Sequence, residues 1–501
     1  MAKVLSILDS GSTGILIDIE SHLSNSLPNI VIVGFANKSV DEAKERIRGA
    51  LANCEIKLPK KRITINLAPA DIPKDGSYFD LPILISILAT AKIINQTPDN
   101  KTIVLGEVSL DGSVRAIRGI IGKILTAKKL GINSFWIPED NLAQASLVPG
   151  INVLPIKSVK KLYDTLLSNE ALGWQKTEGF DRNQTNPKEG HLSIDDIIGQ
   201  DLAKRAATIA AAGHHNIMLS GPPGAGKSML AKAIPSIMPR LTQEEILEIT
   251  HIHSLANKNY DKIIFERPFR SPHHSASNAS IVGGGQNPKP GEISLSHHGV
   301  LLFDEFPEFN RSVIESLRQP LEDKVISVSR AKDSIDFPAN FLLVATSNPC
   351  PCGYFGSQKE CTCLPTQILN YQRKTSGPIM DRIDLYVNVE EVDHSKLMSK
   401  SKTNTAEGIR SQIELARSIQ NKRSGKLNSQ LSNRDLSKWA DLEPKAKALL
   451  DEASTRMQLS ARGYIRTLRV ARTIADLENS KSINTNHISE ALQYRKRATQ
   501  F

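Results

Sequence analysis

The segment GPPGAGKS at residues 221–228 limits what this chain can fold into more than any other stretch of the sequence. It satisfies the pattern G-x-x-x-x-G-K-S, with the apolar run Ile217–Ser220 before it and the helix-compatible run MLAKAI after it. Glycines let consecutive backbone N–H groups point at phosphates, and the N-terminus of the following helix adds positive potential. The sequence therefore predicts a strand, a loop and a helix that bind ATP.

Two side chains of this loop have specific roles in the prediction. Lys227 is expected to reach the β- and γ-phosphates of ATP, and Ser228 to bind the Mg²⁺ ion that accompanies it. The remaining residues of the loop are expected to bind the phosphates through their backbone N–H groups. The predicted cofactors are ATP and Mg²⁺, and the predicted contact set is Gly221, Pro222, Pro223, Gly224, Ala225, Gly226, Lys227 and Ser228.

Polar side chains follow two further strand-like runs. Asp304 and Glu305 come directly after the apolar run Val300–Phe303, and Asn348 follows the run at residues 341–346. Because the carboxyl ends of parallel strands meet at one edge of a sheet, these residues are expected to face the ATP phosphates. Asp304 would hold Mg²⁺, Glu305 would polarise the attacking water, and Asn348 would orient that water. A surface acidic pair and an ordinary turn are the alternatives.

A chain of 501 residues is too long for one core, and its sequence divides into blocks. Residues 1–168 alternate apolar runs with helical patterns, and residues 169–192 form a polar linker. Residues 193–390 carry the nucleotide motifs, and residues 391–501 are rich in helix formers. The predicted class is α/β: a P-loop parallel-sheet domain with a helical C-terminal lid, preceded by an α+β domain. The first block has strand-like runs at 30–33, 63–67, 103–105 and 134–137, and a helical pattern at 41–52.

The net positive charge of the chain is concentrated in its C-terminal part. Residues 391–501 contain 21 Lys and Arg against 12 Asp and Glu, whereas the first 390 residues contain 42 against 41. Such a basic block indicates a polyanionic partner such as nucleic acid, or a solvated helical surface. The sequence contains no apolar run long enough to span a membrane, so the expected location is the cytoplasm, with no membrane partner.

Four of the five cysteines lie within 14 residues, as Cys350, Cys352, Cys361 and Cys363. Four thiolates suit tetrahedral Zn²⁺, although the usual spacing within each pair is longer than C-x-C. The prediction is a structural zinc site, with free thiols in a loop as the alternative.

The motifs GPPGAGKS, LLFDE, ATSN and GPIMDRID occur in an order that resembles the AAA+ ATPases. The stretches FRSPHHSAS, IVGGG, PKPGEISLSHHGVLLFDEFPEF, VATSNPCPCGYFG and SARGYIRTLRVARTIADL narrow the resemblance. Over nearly its whole length the chain is similar to the ComM/YifB family of magnesium-chelatase-like AAA+ ATPases. The resemblance implies a hexameric ring that hydrolyses ATP, moves along single-stranded or branched DNA without sequence specificity, and drives branch migration during natural transformation.

The resemblance also implies roles for two arginines. Considered alone, Arg382 would be expected to pair with Asp381 or Asp384 in its own chain. In the family its position is that of an arginine finger, which contacts the γ-phosphate bound by a neighbouring subunit. Arg469 matches the lid arginine that senses the γ-phosphate, with Arg462 as the competing choice.

The region around these lid arginines has a helical pattern of its own. Arg462, Arg466 and Arg469 have the spacing i, i+4 and i+7, so they share one face of a predicted helix. Such a stripe can face nucleotide, DNA or solvent. The residues expected to pack on other faces are Ile465, Leu468, Ala471 and Ile474.

Residues 325–337 are expected to form a hairpin, because the sequence alternates toward Arg330 and Lys332 and then returns in a second strand-like run. Related ring ATPases project such a hairpin into the central pore. Arg330 and Lys332 would then contact DNA phosphates.

The stretches PKDGSY at residues 73–78 and GEVSLDG at residues 106–112 look like the proteolytic domain of Lon. Tyr78 occupies the place of the serine nucleophile, and Ile121 that of its activating lysine. Ser77 is one position away and Lys123 two, so the predicted Lon-like domain is catalytically inactive. A shifted Ser–Lys pair, which would make the chain an ATP-dependent protease, is one alternative. For the chain as a whole, the alternative to a DNA motor is a chelatase- or chaperone-like ATPase that remodels a protein partner.

Overall fold

The computed structural model describes residues 2–10, 13–34, 37–74, 76–168, 170–179, 192–256, 262–285, 289–329, 334–357, 359–374, 377–391 and 405–495. These residues form two compact units. The first comprises described residues within Met1–Thr185 and Thr242–Phe265, and the second those within Asn186–Leu241 and Glu266–Phe501. The domain boundaries expected at residues 168, 193 and 390 remain predictions.

The strands of the described residues are β1 (Ala2–Ser10), β2 (Thr13–Ser24), β3 (Asn29–Val33), β4 (Arg62–Ala68), β5 (Thr102–Val104), β6 (Glu107–Val108), β7 (Val114–Arg115), β8 (Ser134–Pro138), β9 (Asn152–Ile156), β10 (Gln175–Lys176), β11 (Ile217–Ser220), β12 (Phe269–Arg270), β13 (Gly283–Gly284), β14 (Lys289–Pro290), β15 (Val300–Phe303), β16 (Val325–Ser329), β17 (Ser334–Pro338), β18 (Leu342–Ser347) and β19 (Leu385–Asn388).

The helices of the described residues are α1 (Lys38–Asp41), α2 (Ala43–Asn53), α3 (Asp80–Thr90), α4 (Ile120–Lys129), α5 (Leu142–Ala145), α6 (Val159–Ser168), α7 (Asp201–Gly213), α8 (Lys227–Ile237), α9 (Gln243–Ala256), α10 (Asn278–Val282), α11 (Glu292–Leu295), α12 (Arg311–Ser316), α13 (Arg318–Asp323), α14 (Pro365–Arg373), α15 (Gly377–Met380), α16 (Ala406–Ser424), α17 (Asn433–Trp439), α18 (Pro444–Arg456), α19 (Ala461–Leu477) and α20 (Thr485–Gln493).

The first unit is built on a mixed sheet with the strand order β10-β9-β8-β5-β1-β2-β4-β3. The four predicted strand runs correspond to β3, β4, β5 and β8, which confirms them. The long hairpin of β1 and β2 was not predicted, although Ile17 and Ile19 are buried while Asp18 and Glu20 between and beside them are not. The apolar helix α3 contacts both strands of this hairpin and buries its first nine residues.

The predicted linker differs from the structure in its first part. The strand β10 pairs antiparallel with β9, and the buried Thr177 next to it donates a hydrogen bond to the carbonyl oxygen of Val148 at 2.6 Å. Backbone pairing at the sheet edge orders this polar segment, which hydrophobic periodicity does not reveal. Residues 180–191 of the linker lie outside the described part of the chain.

The second unit contains a parallel sheet with the strand order β12-β15-β18-β11-β19. The strand β11, which leads into the P-loop, lies between β18 and β19 and is parallel to both. The four-residue strand β15, on the other side of β18, is buried throughout. The predicted α/β class with a P-loop parallel sheet and a helical C-terminal part is confirmed.

The C-terminal helices pack on the same hydrophobic core as the parallel sheet. The helix α19 contacts α7, α16 and α20, and its predicted packing residues Leu468, Ala471 and Ile474 are buried. Ile465 is partly buried against this core. No helix among the described residues is both long and apolar enough to cross a membrane.

Candidate nucleotide site and cysteine cluster

The phosphate-binding loop joins β11 to α8, and two of its glycines have backbone angles that other residues rarely adopt. Gly224 has a φ of 82° and Gly226 a φ of 86°, and Gly226 caps the N-terminus of α8. A side chain at Gly221 would collide with the backbone of Val389, the residue directly after β19. The loop therefore requires glycine at these positions for its turn and its close approach to the sheet.

Lys227 begins α8, and its side chain is directed back into the loop. Its Nζ donates hydrogen bonds to the carbonyl oxygens of Gly221 at 2.7 Å and Pro222 at 2.8 Å, and to Oδ1 of Asn348 at 3.2 Å. Burial lowers the pKa of Lys227, and the charges of nearby carboxylates oppose that shift. The structure thus brings the predicted Lys227 and Asn348 together at the P-loop.

Ser228 and Asp304 are adjacent, as the sequence predicted. The Ser228 hydroxyl lies 2.9 Å from both carboxylate oxygens of Asp304, and Thr346 on β18 donates a hydrogen bond to Oδ1 at 2.6 Å. Neighbouring oxygens in an octahedral Mg²⁺ shell are about 2.9 Å apart, given Mg–O bonds near 2.0–2.1 Å. The hydroxyl and carboxylate therefore fit a Mg²⁺ site.

Glu305 follows Asp304 in a left-handed backbone conformation with a φ of 56°, which is uncommon for a residue with a side chain. The Glu305 backbone N–H donates to the Thr346 hydroxyl at 2.9 Å, which holds this turn. The Glu305 side chain is exposed and forms no ion pair with another described residue. This arrangement suits a carboxylate that polarises water.

Thr346 and Gln200 are site residues that were not predicted from the sequence. Thr346 is buried and directly follows the apolar run of β18, just before Ser347, and a hydroxyl residue at this end of the strand is a signal that could have identified it. Gln200 precedes α7 with a φ of 58° and donates to the carbonyl oxygens of Ala225 at 3.2 Å and Glu390 at 2.6 Å. Gln200 thereby holds the phosphate-binding loop, and no pattern in the sequence indicated this role.

Arg382 is placed by α15 just before β19, and its partners within the chain are not the predicted ones. It forms an ion pair with Glu322 and donates to the carbonyl oxygen of Pro378 at 2.5 Å. The expectation that it would pair with Asp381 or Asp384 is wrong, because those carboxylates interact with lid arginines instead.

The lid arginines of α19 have different surroundings. Arg462 lies 4.0 Å from Asp381, and Arg466 lies 3.6 Å from Asp384. Arg469 forms no ion pair with another described residue, and burial lowers its pKa. Among the described residues, Arg462 and Arg466 each pair with a carboxylate of the same chain, and Arg469 does not.

The four clustered cysteines meet in space. Their Sγ atoms all lie within 4.8 Å of one another, and the Sγ–Sγ distances are 3.3 Å for Cys350–Cys352, 3.7 Å for Cys350–Cys361 and 3.6 Å for Cys352–Cys361. A tetrahedral Zn²⁺ with Zn–S bonds of about 2.3 Å sets its sulfurs about 3.8 Å apart. Backbone N–H groups of Cys352 and Phe355 donate to Sγ of Cys363 and Cys350, each at 3.4 Å. The cluster fits a four-thiolate zinc site.

The predicted hairpin is confirmed by the antiparallel strands β16 and β17. Arg330 and Lys332, the predicted DNA contacts at its tip, lie outside the described residues.

Several arginines of the C-terminal block form hydrogen bonds within the fold. Arg410, Arg417 and Arg495 donate to the carbonyl oxygens of Ser236, Ala211 and Asp384. Part of the positive charge of this block is therefore structural.

In the first unit, Ser77 beside the position of the Lon serine and Ile121 at the position of the Lon lysine make other contacts. Ser77 donates a hydrogen bond to Glu107, and Ile121 is fully buried in the core. Lys123 is buried, with Nζ 4.6 Å from the centre of the Tyr78 ring and 3.4 Å from the carbonyl oxygen of Arg118. The geometry is that of a lysine packed on an aromatic ring.

Profiles of three families match the chain. They are described as magnesium chelatase, subunit ChlI, over residues 193–397; subunit ChlI of Mg-chelatase, over residues 19–141; and magnesium chelatase, subunit ChlI C-terminal, over residues 403–495.

Similar proteins match almost end to end. Competence protein ComM of Haemophilus influenzae is 41% identical over 99% of this chain and 97% of its own length. The uncharacterized protein YifB of Escherichia coli is 39% identical over 96% of this chain and 94% of its own length. A Lon protease of Methanosphaera stadtmanae is 31% identical over 31% of this chain and 17% of its own length, with the likeness in the N-terminal region.

Proposed function

The chain belongs to the ComM/YifB family of magnesium-chelatase-like AAA+ ATPases, and we propose that it forms a hexameric ring that moves along DNA. ATP hydrolysis would drive the migration of branched DNA during recombination in natural transformation. The observation that carries this proposal is the convergence of Lys227, Ser228, Asp304 and Asn348 at one edge of the parallel sheet. That convergence occurs in a chain 41% identical to a competence protein.

Within one subunit, the side chains divide the work of phosphate binding and hydrolysis. Lys227 would exchange its carbonyl acceptors for phosphate oxygens, which accept hydrogen bonds more strongly because they are charged. Ser228 and Asp304 would hold Mg²⁺, which neutralises charge on the β- and γ-phosphates. Glu305 would polarise the attacking water, and Asn348 would orient it.

Two arginines complete the proposed site. Arg382 would leave its exposed partner Glu322 and contact the γ-phosphate bound by the neighbouring subunit, where its guanidinium stabilises transition-state charge. Arg469 would sense the γ-phosphate from the lid, and its uncommitted guanidinium supports this choice over Arg462. Hydrolysis then depends on assembly, because each site needs a neighbour.

The proposal includes Zn²⁺ as a structural metal in the cluster of Cys350, Cys352, Cys361 and Cys363. The sulfur separations and the N–H donors to sulfur support it, because both are typical of thiolate zinc sites. The metal would fix the loop that follows the strand of Asn348.

DNA is the proposed substrate, and the hairpin of β16 and β17 is its proposed contact. The pair Arg330 and Lys332 would bind phosphates, so binding should depend on salt and not on sequence. The basic composition of residues 391–501 also supports DNA, although part of that charge is structural.

The decisive test uses the purified chain and a synthetic Holliday junction. We expect ATP-dependent conversion of the junction to duplex products, and no conversion with the Glu305→Gln variant. Binding of single-stranded and forked DNA should weaken as salt increases. If the chain hydrolyses ATP but does not bind DNA even at low salt, the motor remodels a protein partner instead.

A further inference from the structure

The cysteine knuckle, defined as the described residues 350–357 and 359–363, contacts the phosphate-binding loop. We propose that Zn²⁺ binding in the cysteine knuckle positions the phosphate-binding loop and thereby strengthens nucleotide binding. This inference rests on the zinc and nucleotide sites proposed above and adds an energetic coupling between them.

The contact is between Gly353 and Pro223. Gly353 has a φ of 88°, and a Cβ at this position would lie 2.6 Å from both Cγ and Cδ of the Pro223 ring. The proline ring therefore packs directly on the backbone of the knuckle, with no room for a side chain. The Gly353 N–H donates to the Cys350 carbonyl oxygen at 3.0 Å, so the turn that presents this surface is the turn that carries Cys350 and Cys352.

A second connection runs through Asn348, two residues before Cys350. Its Oδ1 accepts a hydrogen bond from Lys227 at 3.2 Å. The intervening Pro349 carbonyl oxygen accepts one from Gln372 on α14 at 3.2 Å. Because α14 begins two residues after Cys363, the metal would hold the chain just after Asn348 and just before α14, the helix that bonds to Pro349.

The physical consequence follows from conformational entropy. Binding of Zn²⁺ to four thiolates, with release of the thiol protons to solvent, closes the loop between Cys350 and Cys363. Pro223 and Asn348 are then held in place before the nucleotide arrives, so binding has less ordering to impose on the loop. The coupling is reciprocal, and nucleotide should strengthen zinc retention by the same factor.

The test measures zinc content and nucleotide affinity separately, using the full chain. Fluorescent ADP is the probe, because it contacts the loop without being hydrolysed. A zinc-selective chelator, with Mg²⁺ kept in excess, should weaken ADP binding about 5- to 150-fold, the usual range of such couplings. Added Zn²⁺ should restore it. Pro223→Ala should retain zinc, while removal of zinc should weaken its ADP binding less than that of the unaltered chain, because only the connection through Asn348 remains.

Matched variants compare the cysteines of the knuckle with a cysteine outside it. Cys352→Ser and Cys361→Ser should lose zinc and bind ADP as weakly as the stripped protein. Cys54→Ser should change neither property, because Cys54 is buried in the core of the first unit. Zinc removal from the unaltered chain provides the same information if a cysteine variant does not fold.

The outcomes are distinguishable. Absence of zinc from the purified and the zinc-incubated chain overturns the metal site and with it this inference. Stoichiometric zinc with equal ADP affinity before and after stripping overturns the coupling alone. Loss of ADP binding under every condition overturns the proposed nucleotide site itself.

Discussion

The carboxylate of Asp384 lies 3.6 Å from Nε of Arg466, and this ion pair joins the start of β19 to the lid helix α19. The other Asp384 oxygen lies 3.3 Å from Nδ1 of His215, whose Nε2 is 2.7 Å from the Thr473 hydroxyl on the same lid helix. Asp384 is only two residues from Arg382. Asp384 therefore links the segment that carries the proposed arginine finger to the lid helix that carries the proposed sensor.

We expect Asp384→Asn to loosen the lid. Removing one member of a buried ion pair costs about 3–5 kcal/mol, because the other charge stays buried without its partner. Hydrogen exchange of α19 and the urea midpoint should both report this loss. The matched control is Asp381→Asn, which removes an exposed pair at 4.0 Å with Arg462 and should cost less than about 1 kcal/mol.

Acid titration gives a second measurement on the same variant. Burial alone would raise the pKa of Asp384, but the hydrogen bond from His215 and the charges of His215, Arg466 and Arg495 lower it. A carboxylate with a lowered native pKa contributes stability above its unfolded pKa of about 3.9, and this contribution is lost as pH falls toward the native pKa. Asp384→Asn should flatten the loss of stability in that acidic range, and an unchanged acid profile would contradict this account.

Substitutions in the P-loop and beside Asp304 should separate nucleotide binding from hydrolysis. Lys227→Ala should abolish ATP binding, because the ammonium and its phosphate contacts are removed. Glu305→Gln should bind ATP normally and hydrolyse it at least about 100-fold more slowly, in line with the loss of a general base. Equilibrium binding of a fluorescent nucleotide and steady-state phosphate release measure the two properties. Normal turnover in either variant would show that the site has been identified incorrectly.

Mixing inactive subunits tests whether Arg382 acts on a neighbour. Arg382→Ala subunits keep an intact P-loop and Glu305, whereas Glu305→Gln subunits keep an intact finger. Rings that contain both should regain phosphate release at interfaces between the two kinds, although each kind alone is inactive. If no mixing ratio restores activity, Arg382 does not act in trans.

The proposed hairpin tip should control the salt dependence of DNA binding. Replacing Arg330 and Lys332 together by alanine removes two phosphate contacts, which should reduce the slope of log affinity against log salt by about 1.4 on single strands. The control is the double substitution of the exposed Lys60 and Lys61 by alanine, which makes an equal charge change outside both the hairpin and the basic block of residues 391–501. Equal slopes for the two double variants would exclude a specific role for the tip.

The Lon-like region should show no protease activity. Ser77 donates a hydrogen bond to Glu107, and Lys123 packs on the Tyr78 ring, which is not the arrangement of a serine activated by a lysine. We expect no ATP-dependent cleavage of casein by the unaltered chain and the same result for Ser77→Ala. Cleavage that disappears on this substitution would instead reveal a shifted dyad.

The sequence by itself determined the P-loop, the strands β11, β15 and β18, and the order of Asp304, Glu305 and Asn348, because local glycine spacing and apolar runs encode them. It also indicated the hairpin strands β16 and β17 and the packing face of α19. These features depend on residues close together in the chain, and periodicity reports such features directly.

Only the tertiary structure decided which side chains share a partner. Thr346 on β18 donates a hydrogen bond to Asp304 at the end of the neighbouring strand β15, and Gln200 donates one to the phosphate-binding loop at Ala225. Asp384 pairs with Arg466, whereas Arg382 pairs with Glu322. The contact of Gly353 with Pro223 likewise joins residues 130 positions apart. Contacts of this kind are set by strand order and helix docking, which no local pattern specifies.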